Sequence, residues 1–385
     1  MIKLLIGGSP CTHWSIAQSK NRETKAEGIG WELFENYVIA KEKFKPDFFL
    51  YENNWSASKE IKDQIQEELG HELMRINSRL VSAQNRDRFY VFNWEVEQPE
   101  DRGILLKDVL ESRIDFPPVQ YTVQNSYDLK FSEGKMRQGN QKHSKQGTYV
   151  YFPDCEKSNA IIASHAADEK VFQPLPACLR YECTQEAKQL RKAYERHEIH
   201  HGYHEFHELH PRTDGKSNTL TTVQKDNRII ELATQSNGAV YEVKNGMIAI
   251  KNKTYPIKLQ DGYYIIRKLT PIECERLQTM PDNYTAAVSN TQRYKSLGNG
   301  WTAEVIIHIL NGALKDIPQD EKIVVLSMYD GIATGRYCLD KMGFTNVEYH
   351  AYEIDKYAIK VAMSNYPDII QHGDAFQVRN SDWRI

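Results

Sequence analysis

Two stretches at opposite ends of the chain carry one pattern: a short apolar run, then a segment with apolar residues at helical spacing. Near the start, KLLI (3–6), FFLY (48–51) and RFYVFNW (88–94) read as buried strands, with the helix-like WELFENYVIAKEKF (31–44) between the first two. Near the end, IVVLSMYDG (323–331) leads into TGRYCLDKMGF, and VEYHAYEID (347–355) into KYAIKVAMSNYP, stopped by Asn-Tyr-Pro. Strand–helix–strand order at both ends predicts pieces of one parallel α/β sheet. From about 96 to 285 the chain is polar and irregular, with β-like pieces such as GTYVYF, AIIAS, SNTLTTV and GYYIIRKL. The expected division is 1–95 together with 286–385 as one α/β domain, and 96–285 as a smaller β-rich domain.

With 385 residues, 40% hydrophobic and 26% charged, the chain has globular composition and room for two domains. No run approaches the roughly 18 apolar residues of a membrane span, and MIKLLI is too short for a secretory signal. Six scattered cysteines (11, 155, 178, 183, 274, 338) read as reduced thiols of a cytoplasmic protein. A net charge of −3 excludes a uniformly basic surface but leaves room for a local basic cleft.

DGIATGR (330–336) follows a strand and opens a helix, the position of a ligand loop in a doubly wound sheet. Its glycines, 331 and 335, are four apart, so the dinucleotide fingerprint GxGxxG fails. Glu353 ends the next strand, 23 residues after Asp330, where a carboxylate can hold ribose hydroxyls. Asp374, after IIQHG, is placed to accept from an adenine amino group. A ribose and adenine site without a phosphate loop points to S-adenosylmethionine.

At the other end, GGSPC delivers Cys11 after a proline at the end of a strand. YENNW puts Glu52 at the end of the second strand. SAQNRDRFY places Gln84, Arg86 and Arg88 on alternate positions entering a strand, which sets Arg86 and Arg88 on one face. Singly, each has a bland reading: a buried small thiol, a helix-capping acid, surface ion pairs. Together, a thiol, a carboxylate and arginines at one sheet edge can grip a pyrimidine ring.

These segments resemble the DNA (cytosine-5) methyltransferase family. GGSPC resembles its nucleophile motif, YENN its ENV motif and SAQNRDR its QxRxR motif; RKLTPIECERLQTMPDNYT (267–285) and SLGNGWTAEV (296–305) resemble its last two motifs. DGIATG, Glu353 and Asp374 resemble its cofactor motifs, and the wording is closest to catalytic domains of the mammalian de novo type. Residues 96–266 are largely unmatched, and Asn54 and Asn85 depart from the family's usual residues. The cofactor motifs usually come first; here they come last, so the order implies a circular permutation with both chain ends on one sheet.

The resemblance implies a Rossmann-like S-adenosylmethionine-dependent methyltransferase sheet with a target-recognition domain over 96–285. It implies Cys11 as nucleophile on C6 of a flipped-out cytosine, Glu52 at ring N3, and Arg88 at O2 with Arg86 beside it. It implies a cofactor site of Asp330, Gly331, Ile332, Thr334, Gly335, Glu353, Ile354 and Asp374, completed by Asn299 and Trp301. Double-stranded DNA is the expected partner of a monomer with no membrane contact and no obligate protein partner. The expected setting is a bacterial or phage-infected cytoplasm. Alternatives are a tRNA cytosine-5 methyltransferase, a nucleotide-level enzyme of the thymidylate synthase kind, and a methyltransferase-like DNA-binding protein. The basic segment 130–145 suits a loop on phosphates. HEIHH (197–201) matches HExxH, but methyl transfer needs no metal and none is expected; 197–210 reads as a polar helix and loop.

Overall fold

The computed structural model describes residues 1–15, 22–111, 128–132, 135–139, 149–151, 177–183, 189, 207–212, 214–222, 228–232, 240–250 and 253–383. The chain forms two compact units. One is Met1–Ile104 with Thr219–Gln224 and Thr270–Ile385; the other is Leu105–Asn218 with Lys225–Leu269.

The first unit begins with β1 (Ile2–Gly7), α1 (Ile29–Phe44), β2 (Phe48–Asn54), α2 (Lys59–Leu69), β3 (Leu73–Asn77) and β4 (Asp87–Phe92). Local chemistry sets these boundaries. Ser58 caps α2 by accepting from Ile61 N at 3.3 Å, and Gly70 ends it at φ 73°. Lys45, at φ 50°, ends α1 just before Pro46.

The second unit holds a short helix, α3 (Leu106–Val109), and a three-stranded sheet of β5 (Asp128–Ser132), β6 (Lys135–Gly139) and β7 (Tyr149–Tyr151). It continues with β8 (Ala177–Cys183), β9 (His207–Pro211), β10 (Arg228–Leu232), β11 (Val240–Lys244), β12 (Met247–Ile250), β13 (Lys253–Pro256) and β14 (Gly262–Lys268). These seven form an antiparallel sheet in the order β13-β12-β11-β14-β10-β8-β9. Its two edges meet, because Leu209 of β9 bridges Ile257, just after β13. The sheet therefore curls around its own core of Leu179, Leu209, Ile230, Val243, Ile248, Ile257 and Tyr264. Residues 207–210 are strand rather than the helix and loop expected of the histidine-rich segment; 197–206 lie outside the described residues, as do 133–134 and 140–145 of the basic stretch.

The chain returns to the first unit with α4 (Pro271–Leu277), α5 (Asn290–Asn299), α6 (Ala303–Leu314), β15 (Ile323–Met328), α7 (Thr334–Lys341), β16 (Val347–Tyr352), α8 (Lys356–Asn365) and β17 (Ile370–Gly373). A capping box starts α4: Thr270 Oγ1 accepts from Glu273 N and Glu273 Oε2 accepts from Thr270 N. The Glu275 and Leu277 side chains of α4 are fully buried, and Arg293 reaches Glu275 at 2.8 Å. These contacts hold 270–285 in this unit, although the sequence groups the stretch with the β-rich middle.

One seven-stranded sheet organises the unit, in the order β17-β16-β15-β1-β2-β4-β3. β4 alone runs antiparallel to its neighbours. The central pair comes from the two ends of the chain, with Ile2 opposite Ile323 and Gly7 opposite Met328. A Cβ on Gly7 would lie 2.6 Å from the Met328 carbonyl oxygen, so only glycine lets the strands finish this close. All six residues of β15 are buried, as expected of a parallel strand covered on both faces; truncating such a leucine typically costs about 2–5 kcal/mol.

The chain's first and last segments meet on Phe44. Lys3 Nζ lies 5.4 Å from the ring centroid, and Trp383 stands edge-on to it at 6.0 Å. Nearby, Lys43 Nζ donates to the carbonyls of Val378, Arg379 and Ser381, and Arg379 Nε donates to Asn36 Oδ1 at 2.7 Å. Among the described residues no helix is long and apolar enough to cross a membrane.

Candidate active site

Strands β17, β16, β15, β1 and β2 end on one edge of the sheet, and the loops leaving them enclose a cavity of about 380 Å³. Cys11, Glu52, Arg86, Arg88, Asn299, Trp301, Asp330, Gly331, Ile332, Thr334, Glu353, Ile354 and Asp374 all line it. This is where an open α/β sheet holds its ligands.

Cys11 opens a one-turn 3₁₀ helix, its carbonyl accepting from Trp14 N at 3.1 Å and Ser15 N at 3.0 Å. Its thiol is half-buried and, among the described residues, is the single thiol on the cavity wall. In the second unit Cys178 is buried, with its thiol pushed up to about 11 by that burial. The loop before Cys11 is tied to β2 by a buried network. Asn53 Nδ2 donates to the Ser9 carbonyl at 2.9 Å and to Tyr51 Oη at 3.0 Å, and Ser9 Oγ lies 2.7 Å from Tyr51 Oη. Gly8 packs on the Glu52 carbonyl, with room for no Cβ.

The Glu52 carboxylate is held at both oxygens. Arg88 Nε pairs with Oε1 at 3.0 Å and Trp301 Nε1 donates to Oε2 at 3.0 Å. Arg88 also donates through Nη1 to the Asp87 carbonyl at 2.7 Å. Arg86 is buried and turns to the other wall, donating to the carbonyls of Gly298 at 3.2 Å and Gly300 at 2.9 Å. Burial, and then the like charge of Arg88, bring its guanidinium down to about 10. Gln84 is fully buried and does not line the cavity.

At the other end, Tyr329, Gly331 and Ala333 all take positive φ (60°, 65° and 61°), turning the chain sharply between β15 and α7. Tyr284 Oη braces that turn by donating to the Ile332 carbonyl at 2.8 Å. Asp330 Oδ1 accepts from Ser327 Oγ and Tyr349 Oη, both at 2.7 Å, while Oδ2 is buried without a hydrogen-bond partner. Burial, seconded by the negative charge of Glu353, raises the Asp330 carboxyl to about 6. Glu353 is oriented by three backbone donors: Gly331 N on Oε2 at 2.8 Å, Ile354 N at 2.8 Å and Asp355 N at 2.7 Å on Oε1. Ile354 is an apolar side chain left 73% exposed at the rim. Asp374 accepts from Phe376 N at 3.0 Å, capping the turn Ala375–Arg379.

Gly335, like Gln84, is a sequence-selected residue away from the cavity lining. A Cβ there would lie 2.2 Å from Ile6 Cδ1, so this glycine serves the packing of α7 on β1. Sequence reasoning passed over Leu33, Lys295, Tyr329 and Phe376, which are among the further residues of the wall. Tyr329, a non-glycine residue at positive φ, carries no signal in its letter, and its hydroxyl is fixed by donating to the Leu33 carbonyl at 2.7 Å.

A family model described as C-5 cytosine-specific DNA methylase matches residues 1–315. The chain is 22% identical over 365 aligned residues to the orphan methyltransferase M.SPRI of Bacillus phage SPR, an alignment that covers 79% of this chain and 80% of that one. It is 25% identical over 344 residues to the type II methyltransferase M.Sau3AI of Staphylococcus aureus, covering 80% and 77% respectively. With the match spanning most of its length, the chain belongs to the C-5 cytosine-specific DNA methylase family and is a DNA cytosine-5 methyltransferase.

Proposed function

We propose that the enzyme methylates C5 of a cytosine flipped out of double-stranded DNA, using S-adenosylmethionine and a covalent bond between Cys11 Sγ and C6. The observation that carries this reading is the common cavity: the Cys11 thiol, the Glu52–Arg88 pair and the Asp330–Glu353 end line one space.

In this mechanism the Cys11 thiolate adds to C6, and the C5=C6 electron pair moves into the ring. A proton shared between Glu52 and N3 neutralises the charge, and Arg88 donates to O2. Arg86 acts one step back, fixing the Gly298 and Gly300 carbonyls of the facing turn. Once methylated, C5 gives its proton to a water molecule, and the electron pair of that C–H bond restores C5=C6 and expels the Cys11 thiolate. Glu52 has acceptor capacity for this role: two of about four lone-pair directions are used, by Arg88 and Trp301, and the rest are open to a base edge.

The cofactor end fits an adenosyl group in three respects. A Cβ on Gly331 or on Gly373 would meet nothing within 4 Å, so both strand ends leave space beside the cavity they line. Glu353, with three backbone donors already placed, keeps an acceptor direction for ribose hydroxyls. Ile354 offers an exposed apolar face to an adenine ring. When bound, S-adenosylmethionine supplies a methyl group on a positively charged sulfur, an electrophile for the activated C5. The residues that would hold it are Asp330, Gly331, Ile332, Thr334, Glu353, Ile354 and Asp374, with Asn299 across the cavity.

We also read the chain as a circular permutant of the usual motif order. Support comes from β1 lying between β15 and β2, and from a family match that stops at 315, before the strands of the cofactor end begin at 323. The β-rich unit is read as the target-recognition domain. A phage or restriction–modification setting agrees with the two relatives.

Transfer of a tritiated methyl group to duplex DNA and to tRNA, with bisulfite sequencing of the DNA, tests the reading. The wild type is expected to label DNA cytosines, and Cys11→Ser to label nothing while still binding S-adenosylhomocysteine. Wild-type turnover by Cys11→Ser, or labelling of tRNA alone, would overturn it.

A further inference from the structure

Trp301 stands in the turn between α5 and α6, next to Asn299, where an indole reads most simply as a wall for the cofactor. Its polar atom has another use. Nε1 donates to Glu52 Oε2 at 3.0 Å, opposite the Arg88 Nε that holds Oε1 at 3.0 Å. Tryptophan has a single donor and no acceptor, so this contact has one sense only: the indole holds the carboxylate. A carboxylate fixed at one oxygen swings about a broad terminal torsion, whereas two donors on separate elements fix its plane.

The turn that carries the indole is itself pinned. Gly300 O accepts from Arg86 Nη2 at 2.9 Å and Gln278 Nε2 at 3.2 Å. Thr302 Oγ1 donates to Gln278 Oε1 at 2.9 Å, and Ala303 N donates to the Gln278 carbonyl at 3.0 Å. Trp301 is thus a rigid arm anchored beside the cofactor end and touching the carboxylate at the base end. We propose that Trp301 is a positioning residue for Glu52, setting the plane of the carboxylate that meets the cytosine ring, and that its indole N–H matters more than its value as a cofactor wall. This rests on the role given above to Glu52.

The test is Trp301→Phe, which keeps an aromatic ring and removes the N–H. The readout is release of tritium from C5 of labelled cytosine in duplex DNA with no cofactor present, since exchange needs addition at C6 but no methyl donor. Binding of S-adenosylhomocysteine and thermal unfolding are measured on the same samples. The exchange rate is expected to fall about tenfold or more as the carboxylate loses its fixed plane, with KM for DNA, affinity for S-adenosylhomocysteine and the melting temperature nearly unchanged. Trp301→His, which retains a ring N–H, is expected to recover part of the loss. Unchanged exchange with weakened S-adenosylhomocysteine binding would overturn the inference and leave Trp301 as a cofactor wall. A wild type that exchanges no tritium would instead bring down the roles of Cys11 and Glu52, and this inference with them.

Discussion

Asn53 reaches back from β2 to the carbonyl of Ser9, 2.9 Å away, and so fastens the loop that presents Cys11, the proposed nucleophile, two residues later. The same amide donates to Tyr51 Oη, and all three residues are buried. Removing it leaves the Ser9 carbonyl short of a donor, at a typical cost of about 1–3 kcal/mol. Asn53→Ala is therefore expected to lower the unfolding free energy measured in urea by that amount and to slow methyl transfer. The affinity for S-adenosylhomocysteine is expected to hold. Wild-type activity in a destabilised protein would show that the Ser9–Cys11 loop keeps its shape without this clamp.

Arg88 and Glu52 form a buried pair, with side-chain exposures of 9% and 12%. Deleting one partner of such a pair costs about 3–5 kcal/mol, because the other charge stays desolvated. Arg88→Met is expected to be destabilised and inactive, and the double variant Arg88→Met, Glu52→Gln to regain stability without regaining activity. Additive losses in a double-mutant cycle would mean that the two groups are not coupled.

Asp330 gives a pH signature. Burial raises its carboxyl to about 6 from an ordinary value of 3.8, so the folded protein holds the proton more tightly than the unfolded chain. This group's contribution to stability is complete below the unfolded value and is lost as pH rises through about 6, amounting to about 3 kcal/mol. Asp330→Asn, which cannot ionise, is expected to gain on the wild type between pH 4 and pH 7.5 in urea unfolding. Parallel curves for the two proteins over that range would refute the assignment.

The proposed circular permutation has its own test. Because Lys3 and Trp383 both contact Phe44, a short Gly/Ser linker between the ends, with the chain reopened among the exposed residues Pro318–Asp320, should give a folded enzyme in which β15, β16 and β17 come first. Melting temperature and methyl transfer close to those of the natural order are expected. Failure to fold would mean that residues 318–320 are needed as a continuous connection.

The strands of the catalytic sheet were legible because each is a short, nearly unbroken apolar run, the form a doubly covered parallel strand must take. The β-rich unit was less so. GYYIIRKL marks β14, but VYEVK and KTYP are small polar strands of a curled sheet, and SNTLTT is no strand at all. Residues 219–222 of that last segment lie instead in the first unit, where Thr219 Oγ1 donates to the Asn85 carbonyl at 2.6 Å. At the site, residue types and spacing singled out Cys11, Glu52, Arg86, Arg88, Asp330 and Glu353, which line one cavity. Spacing could not reveal which donor meets which oxygen. The Trp301–Glu52 bond joins residues 249 apart, and Gly335 looks like a ligand glycine until Ile6 is seen against it.

The central pair of the sheet also bears on how the chain is made. β1 leaves the ribosome long before its partner β15, which emerges only after more than 300 further residues. Until then β1 offers an apolar, unpaired edge to other chains, so the sheet of the catalytic unit cannot be completed before that distant strand arrives. Ile2 and Ile323 pairing across nearly the whole chain gives this sheet a high contact order, and slow, chaperone-sensitive folding is the consequence.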